Sequence, residues 1–185
     1  MKILHIIYDL MPTAGTTIFV LKLAQEQVKL GHEVTIAVRN GIEPLALEGI
    51  DIVAVRNINQ VNLHPDIVHI HAVWSFYQVA AMQWCQRNGY KYVVTIHGCL
   101  MPRVFTKNPL KKWLFYWLFL KKNIRKASII HCTSEYEKEV CKLLGFKGPF
   151  VVAPLGVDMP VNSTKPHINN MRTVLFVVRL ARRRG

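Results

Sequence analysis

Short apolar runs alternate along the chain with longer segments in which apolar residues recur about every three to four positions. The short runs predict strands buried on both faces, near residues 3–8, 33–38, 50–55, 66–71, 92–96, 128–132 and 150–153. The longer segments predict helices over residues 16–30, 75–87, 109–126 and 135–144. This alternation predicts an α/β fold with a doubly wound parallel sheet.

A polar stretch rich in proline, asparagine and serine follows the last of these strands. We therefore expect a Rossmann-like domain over residues 1–158 and a linker over residues 159–172. Residues 173–185 begin with one further apolar run and end in an arginine cluster. We expect them to be the first strand and the start of a truncated second domain, poorly ordered because they have no sheet of their own.

The formal net charge of +13 indicates polyanionic partners. No acidic residue lies between Ile67 and Ser134, and within this stretch residues 107–126 carry an aromatic block between two lysine pairs. This pattern fits a helix lying on an anionic membrane surface, or equally a core helix whose ends reach solvent. Nucleic acid is a weaker candidate, because the aromatic residues are contiguous rather than spread along a basic groove.

Targeting signals and metal motifs are missing from the sequence. The four cysteines have neither Cys-x-x-Cys nor zinc-like spacing, which favours reduced thiols in the cytosol. The first residues lack the core of a signal peptide, and the apolar run at residues 113–120 is far shorter than the roughly 20 residues of a spanning helix. We expect a cytoplasmic protein, with peripheral attachment to the inner face of the membrane as an option.

Small and polar residues follow the predicted strands, at the sheet edge where open parallel sheets bind ligands. Gly15 could let a phosphate approach a helix N-terminus, or it could be an ordinary turn glycine. His69 and His71 share one face of a strand, as a metal pair would, but with no third ligand evident a polar pocket or packing role is favoured. His97, beside Gly98, is the best candidate for a functional imidazole, with a structural histidine as the alternative. The sequence contains neither a dinucleotide fingerprint nor a P-loop.

Several motifs in order along the chain resemble glycosyltransferase family 4, the retaining enzymes with the GT-B fold. The matching segments are residues 1–8 with Pro12 and Gly15, KLGHEVT at 29–35, DIVHIH at 66–71, TIHG at 95–98, residues 127–135, PLGVD at 154–158 and LFVVRLARRRG at 175–185. Three positions depart from the family pattern. Ala14 and Val178 replace glycines, and Arg184 replaces a lysine.

The resemblance implies transfer of a sugar from a nucleotide-sugar donor to a glycan or lipid-linked acceptor. It implies that Gly15, Arg179 and Arg184 bind the donor phosphates and that His97 is the catalytic residue that contacts the transferred sugar. The remaining cleft residues would be His69, His71, Gly98, Ser134 and Glu135. No metal or other cofactor is expected, because cationic side chains and backbone N–H groups would stabilise the leaving diphosphate.

A non-catalytic protein is the alternative. The family's Glu-x7-Glu segment, which contacts the donor, is not found in these 185 residues. The chain could therefore be a truncated fragment, or an acceptor- and membrane-binding half that needs a partner chain. Whether it is an enzyme by itself is open on the sequence, and we expect the isolated chain to be inactive.

Overall fold

A computed structural model of the chain describes residues 1–12, 14–40, 47–154 and 156. Within these residues, seven parallel strands form one sheet in the order β3-β2-β1-β4-β5-β6-β7. The strands are β1 (Lys2–Ile7), β2 (Glu33–Val38), β3 (Ile50–Ala54), β4 (Ile67–His71), β5 (Tyr92–Thr95), β6 (Ile129–Cys132) and β7 (Phe150–Val152). The helices are α1 (Gly15–Lys29), α2 (Phe76–Asn88), α3 (Pro102–Phe105), α4 (Pro109–Phe115), a π-helical turn (Tyr116–Leu120), α5 (Lys121–Ile124) and α6 (Glu135–Leu143), with a 3-10 turn at Ile58–Gln60. The predicted α/β fold with a doubly wound parallel sheet is confirmed.

The strand order reverses beside β1. This strand pairs with β2 on one side and with β4 on the other, so the chain winds outward from the middle in both directions. Helix α1 packs on β2 and β3, whereas α2 packs on β4 and β1. Open parallel sheets bind ligands in the crevice outside the carboxyl ends of the strands at such a reversal. The fold therefore predicts a ligand site at the carboxyl ends of β1 and β4.

Alternate residues of β1 enter two separate apolar cores. Ile3 and Ile7 belong to the core beneath α1, whereas Leu4 and Ile6 belong to the core that contains α2. Each face is buried because side chains alternate along a strand and helices cover both sides of the sheet. His5 lies between Ile3 and Ile7, so its fully buried ring is on the α1 side.

The predicted helix over residues 109–126 is present as α4, the π-helical turn and α5. Tyr116, Leu120 and Ile124 are buried in the core, with relative exposures of 1%, 0% and 0%. Leu110 and Trp117 are 82% and 58% exposed. One side of this segment is therefore core, and the other side presents apolar side chains to solvent.

Helix α3 is an addition to the predicted elements, since its four residues are too few to give a periodic pattern. The proposed linker at 159–172, the strand expected at 173–178, Arg179 and Arg184 all lie outside the described residues. The domain boundaries drawn from the sequence stay predictions.

Candidate functional site

Four neighbouring strands bring histidine and threonine side chains together on the α1 side of the sheet. In the sheet, His5 of β1 is level with His69 of β4, His71 is level with Thr95 of β5, and Thr95 is level with His131 of β6. Because side chains at every second position share a face, these five side chains form one continuous polar layer. We call these five, with His97, the histidine layer.

A first chain of hydrogen bonds runs through the layer from α1 to the end of β5. The Oε1 atom of Gln27 lies 2.7 Å from His5 Nε2, and His5 Nδ1 lies 2.9 Å from His71 Nε2. His71 Nδ1 in turn lies 3.2 Å from His97 Nε2. Four side chains from α1, β1, β4 and the loop after β5 are thereby linked in sequence.

A second chain crosses the same layer toward β7. His69 Nε2 is 2.5 Å from the Thr95 hydroxyl oxygen, which is 2.9 Å from His131 Nδ1. His131 Nε2 donates to the carbonyl oxygen of Ala153 at 2.9 Å. Both ring nitrogens of the fully buried His5 and His71 therefore have partners inside the protein, as burial away from water requires.

Burial keeps four imidazoles of the layer neutral. It lowers the pKa of His5 to about 4, an effect partly opposed by the hydrogen bond to Gln27. It also lowers the pKa of His97 to about 4, with repulsion from His131 adding to the effect. For His69 and His71, burial and the nearby rings hold the pKa well below the usual value. Removing a charge from water in an apolar interior is costly, so each of these four rings carries a single proton at pH 7.

The His97–Gly98 turn lies at the carboxyl end of β5, the strand next to β4 at the reversal of the sheet. Both residues have positive φ, 52° and 71°, and for a histidine this left-handed conformation is uncommon. Buried Glu137 holds the turn, because its Oε1 accepts from the N–H of Gly98 at 2.5 Å and its Oε2 accepts from the N–H of Thr133 at 2.6 Å. Glu137 therefore ties the loops after β5 and β6 together.

Glu137 was not among the residues singled out from the sequence, although a local signal existed. Ser134 caps α6 by accepting from the N–H of Glu137 at 3.2 Å, and a serine followed by glutamate three residues later is the capping-box pattern. Glu135, which the sequence placed in the cleft, is exposed and pairs with Lys138 at 2.8 Å. The two predicted residues therefore lie at the N-terminus of α6, where Ser134 is the cap and Glu135 is the first residue, and Glu137 is the carboxylate that reaches the His97–Gly98 turn.

Gly15 begins α1, and no side chain caps this helix. A β-carbon at Gly15 would meet no heavy atom within 4 Å, so the space above it is open. Phe19, one turn further along, packs edge-on against His97 with ring centroids 5.1 Å apart. Residues four apart share a helix face, so the structure brings the open N-terminus of α1 close to His97.

His69 and His71 lie deeper in the histidine layer than His97. His71 is fully buried, and His69 is mostly enclosed. Both lie behind His97 in the layer, where His71 contacts it directly. Their side-chain hydrogen bonds are with other side chains of the layer, so they can act on the cleft through His97.

His5, His69 and His71 could in principle hold a metal ion, since one ring nitrogen from each lies within 4.8 Å of the others. His5 is thus a third potential ligand that the sequence did not reveal. However, the nitrogens of His5 and His71 are 2.9 Å apart, whereas two nitrogens on a tetrahedral zinc ion are about 3.3 Å apart. The observed spacing fits a shared proton better than a shared ion.

Arg39 is a cation at the same edge of the sheet that sequence reasoning did not single out. It follows β2, and its Nη1 donates to the hydroxyl of Tyr8 at 2.8 Å. The nearby hydroxyl of Tyr77 is buried without a hydrogen-bond partner among the described residues, and burial raises its pKa to about 12. These three side chains add a polar, positively charged wall beside the crevice.

A second surface lies on the exposed side of the α4–α5 segment. Five apolar side chains there are 39–82% exposed, namely Leu110, Trp113, Leu114, Trp117 and Leu118. Lys121 Nζ lies 3.8 Å from the ring centroid of Trp117, and Lys111 and Lys122 are exposed close by in the chain. We call these eight residues the aromatic-lysine patch. In the described part of the chain, no helix is both long enough and apolar enough to cross a membrane.

Comparison with known proteins gives the family and the fold. Glycosyltransferase Family 4 matches residues 13–160, whereas a search of the curated proteins gave no match. The structure is similar to that of sucrose-phosphate synthase from Thermosynechococcus elongatus, with a TM-score of 0.64 and 14% sequence identity. The similarity covers 85% of this chain and 48% of that chain, so this chain spans about half of the other protein. The shared architecture is the Rossmann-like sheet of a GT-B glycosyltransferase, and the family match over most of the sequence shows that the chain belongs to glycosyltransferase family 4.

Proposed function

We propose that this chain forms the acceptor-side half of a retaining glycosyltransferase. In this proposal, a sugar passes from a nucleotide-sugar to a glycan or lipid-linked acceptor. The observation that supports it most is the meeting of His97, the Gly98 turn and the open N-terminus of α1 beside the sheet reversal. Open α/β sheets bind ligands in this region, and the family match supports a glycosyl donor and its acceptor as the ligands.

Gly15 has a specific role in this proposal. The first N–H groups of a helix lack intrahelical partners and carry partial positive charge, which favours a diphosphate. With no side-chain cap and no β-carbon at Gly15, a phosphate could approach these groups closely. Arg179 and Arg184 are proposed, from the resemblance alone, to bind the same diphosphate.

The chemistry needs charge stabilisation more than proton transfer. In the reaction, the bond from the anomeric carbon to the diphosphate breaks, and a bond to the acceptor oxygen forms with the same configuration, while the proton of the acceptor hydroxyl passes to the departing diphosphate. Negative charge then develops on the diphosphate, which the N-terminus of α1 and cationic side chains would stabilise. His97 is neutral, so it would position the sugar by a hydrogen bond rather than by charge.

A matched pair of glycine variants tests the donor site. We expect a nucleoside diphosphate sugar to shift the backbone NMR signals of Gly15, Thr16 and Gly98 in the full chain. Gly15→Ala should weaken these shifts at least several-fold while leaving the unfolding midpoint unchanged or slightly raised, because the added methyl group meets only open space. Gly148→Ala is the control, since its added methyl group would make only an ordinary 3.7 Å contact with Ile130. Shifts that are equal in both variants, or confined to the amino ends of the strands, would contradict the proposal.

A membrane-bound location is proposed from the aromatic-lysine patch. Exposed tryptophan and leucine beside lysine match the headgroup region, where aromatic rings enter the interface and ammonium groups meet anionic lipid. Each basic residue near such a surface contributes about 1 kcal/mol, so three lysines with five apolar side chains could hold the protein reversibly. A core role for the lysine-flanked segment explains the burial of Tyr116 and Leu120, but it leaves the exposed side without a partner among the residues that the structure describes.

Vesicle binding with charge-matched variants tests this location. Lys111, Lys121 and Lys122 are changed to Gln together, whereas Lys112 is kept because its Nζ donates to the carbonyl oxygen of Val104 at 2.5 Å. We expect the triple variant to bind phosphatidylserine vesicles at least tenfold more weakly at low salt. The control changes Lys29, Lys91 and Lys142 to Gln and should bind nearly as well as the unaltered chain. Equal loss in both variants would indicate net charge alone, and no binding by the unaltered chain would contradict the membrane proposal.

A further inference from the structure

With one proton on each ring, the second hydrogen-bond chain of the histidine layer has a single possible arrangement of protons. A carbonyl oxygen can only accept, so His131 Nε2 carries the proton that it donates to Ala153. His131 Nδ1 is then without a proton and accepts from the Thr95 hydroxyl, whose oxygen accepts from His69 Nε2. His131 and His69 are therefore both in the Nε2–H form.

The first chain follows the same rule from a different starting group. The Oε1 atom of Gln27 accepts, so His5 Nε2 carries a proton and His5 Nδ1 does not. His5 Nδ1 then accepts from His71 Nε2, and His71 Nδ1 accepts from His97 Nε2. With one proton on each ring, His97 is left with an unprotonated Nδ1 that has no hydrogen-bond partner among the described residues.

We propose that Gln27, His5 and His71 are positioning residues that hold His97 in its Nε2–H form, so that His97 Nδ1 is a hydrogen-bond acceptor for a hydroxyl group of the ligand. Gln27 decides the direction, because its side-chain amide has an accepting end and a donating end. If the NH2 end faced His5, every proton in the chain would move to the other nitrogen, and His97 would become a donor. That the ligand is a sugar rests on the proposed function, whereas the proton arrangement does not.

The position of His97 suits such a role. It is half-buried at the carboxyl end of β5, with Phe19 packed against one side and His71 behind it. Its Nε2 is occupied by the bond to His71, so Nδ1 is the nitrogen left for a ligand. The left-handed backbone at His97 and the hydrogen bond that the N–H of Gly98 donates to Glu137 fix the turn that carries the ring.

Long-range proton–nitrogen NMR of the histidine rings tests the arrangement in the full chain at pH 7.5. We expect His5, His69, His71, His97 and His131 all to show the pattern of the Nε2–H tautomer. An Nδ1–H or doubly protonated His97 would overturn the proposal. The measurement needs no substrate and no activity, so a confirmed tautomer without sugar binding would refute the proposed function alone.

Two substitutions at Gln27 separate positioning from packing. Gln27→Glu keeps an acceptor and should leave His97 in the Nε2–H form. Gln27→Met fills similar space without an acceptor, and we expect the two ring nitrogens of His97 to shift toward values averaged over both tautomers. His69 and His131 are the internal control and should not change in either variant, because their chain ends at Ala153.

An effect on the tautomer of His97 is informative because the hydrogen bonds that link Gln27 to His97 run through His5 and His71. If His97 is unchanged in a folded Gln27→Met protein, Gln27 has no positioning role. Should that variant fail to fold, the tautomers of the unaltered chain still decide the proposal. Zinc added to the unaltered chain is the last arm: shifts of the ring nitrogens of His5, His69 and His71 by an equimolar amount would replace the proposal with a metal site.

Discussion

The histidine layer and the aromatic-lysine patch depart from the usual distribution of side chains in opposite directions. In the layer, polar imidazoles such as His5 and His71 are fully buried. In the patch, apolar side chains such as Trp117 and Leu118 are more than half exposed. Buried polar groups and contiguous exposed apolar groups are the informative exceptions in a folded protein.

The difference lies in where each region finds its partners. The layer satisfies its hydrogen bonds inside the chain, through Gln27, Thr95 and the carbonyl oxygen of Ala153. The patch has no such covering among the described residues, apart from lysine nitrogens such as that of Lys121 over Trp117. Substitutions in the layer should therefore change stability, whereas substitutions in the patch should change binding.

The largest expected effect comes from two adjacent residues on opposite sides of the same helical segment. Tyr116→Ala should lower the free energy of unfolding by about 3–5 kcal/mol, since the ring is buried and its hydroxyl donates to the carbonyl oxygen of Leu144 at 2.6 Å. Trp117→Ala should change it by no more than about 0.5 kcal/mol, because the ring is 58% exposed. Urea unfolding measures both. Similar losses in the two variants would show that the patch is part of the core.

Acidification should lower the stability that depends on the histidine layer and should leave the aromatic-lysine patch unaffected. The buried His5 has its pKa lowered to about 4 from 6.5, so the unfolded chain takes up its proton first as the pH falls. Above pH 6.5, His5 is neutral in both the folded and the unfolded chain, so its titration does not lower stability. Between pH 6.5 and 4, the protonation of the unfolded chain lowers the free energy of unfolding by roughly 3 kcal/mol for His5 alone. Urea midpoints between pH 7.5 and 4.5 measure the loss, and His5→Gln should flatten the curve. A constant midpoint down to pH 5 would contradict the buried, neutral state.

A smaller effect distinguishes two glutamates near the cleft. Glu137→Gln would turn an NH2 group toward the N–H of either Gly98 or Thr133, which should cost about 1–3 kcal/mol and shift the NMR signal of Gly98. Glu135→Gln removes an exposed ion pair with Lys138 and should cost no more than about 0.5 kcal/mol. A larger loss in Glu135→Gln than in Glu137→Gln would show that the cleft depends on Glu135.

Local pattern was enough to locate the elements of the sheet. Apolar runs and helix-ending glycines, among them Gly89, lie where the structure has its strand and helix boundaries. These signals are local, because burial on both faces and a left-handed helix end each constrain only neighbouring residues. The same reasoning placed His69 and His71 on one face of β4. It overlooked the capping box at Ser134 and Glu137, although both residues were within reach of a local argument.

The sequence by itself determined the class of fold and the composition of the lysine-flanked aromatic segment. It also determined that histidine and glycine residues lie at the carboxyl ends of the strands. Only the tertiary structure decided that Gln27, His5 and His71 reach His97, and which aromatic side chains are exposed. His5 and His71 are 66 residues apart along the chain, and β1 lies beside β4 because of strand order rather than of any local periodicity. Side-chain partners across a sheet depend on register and topology, which sequence spacing does not encode.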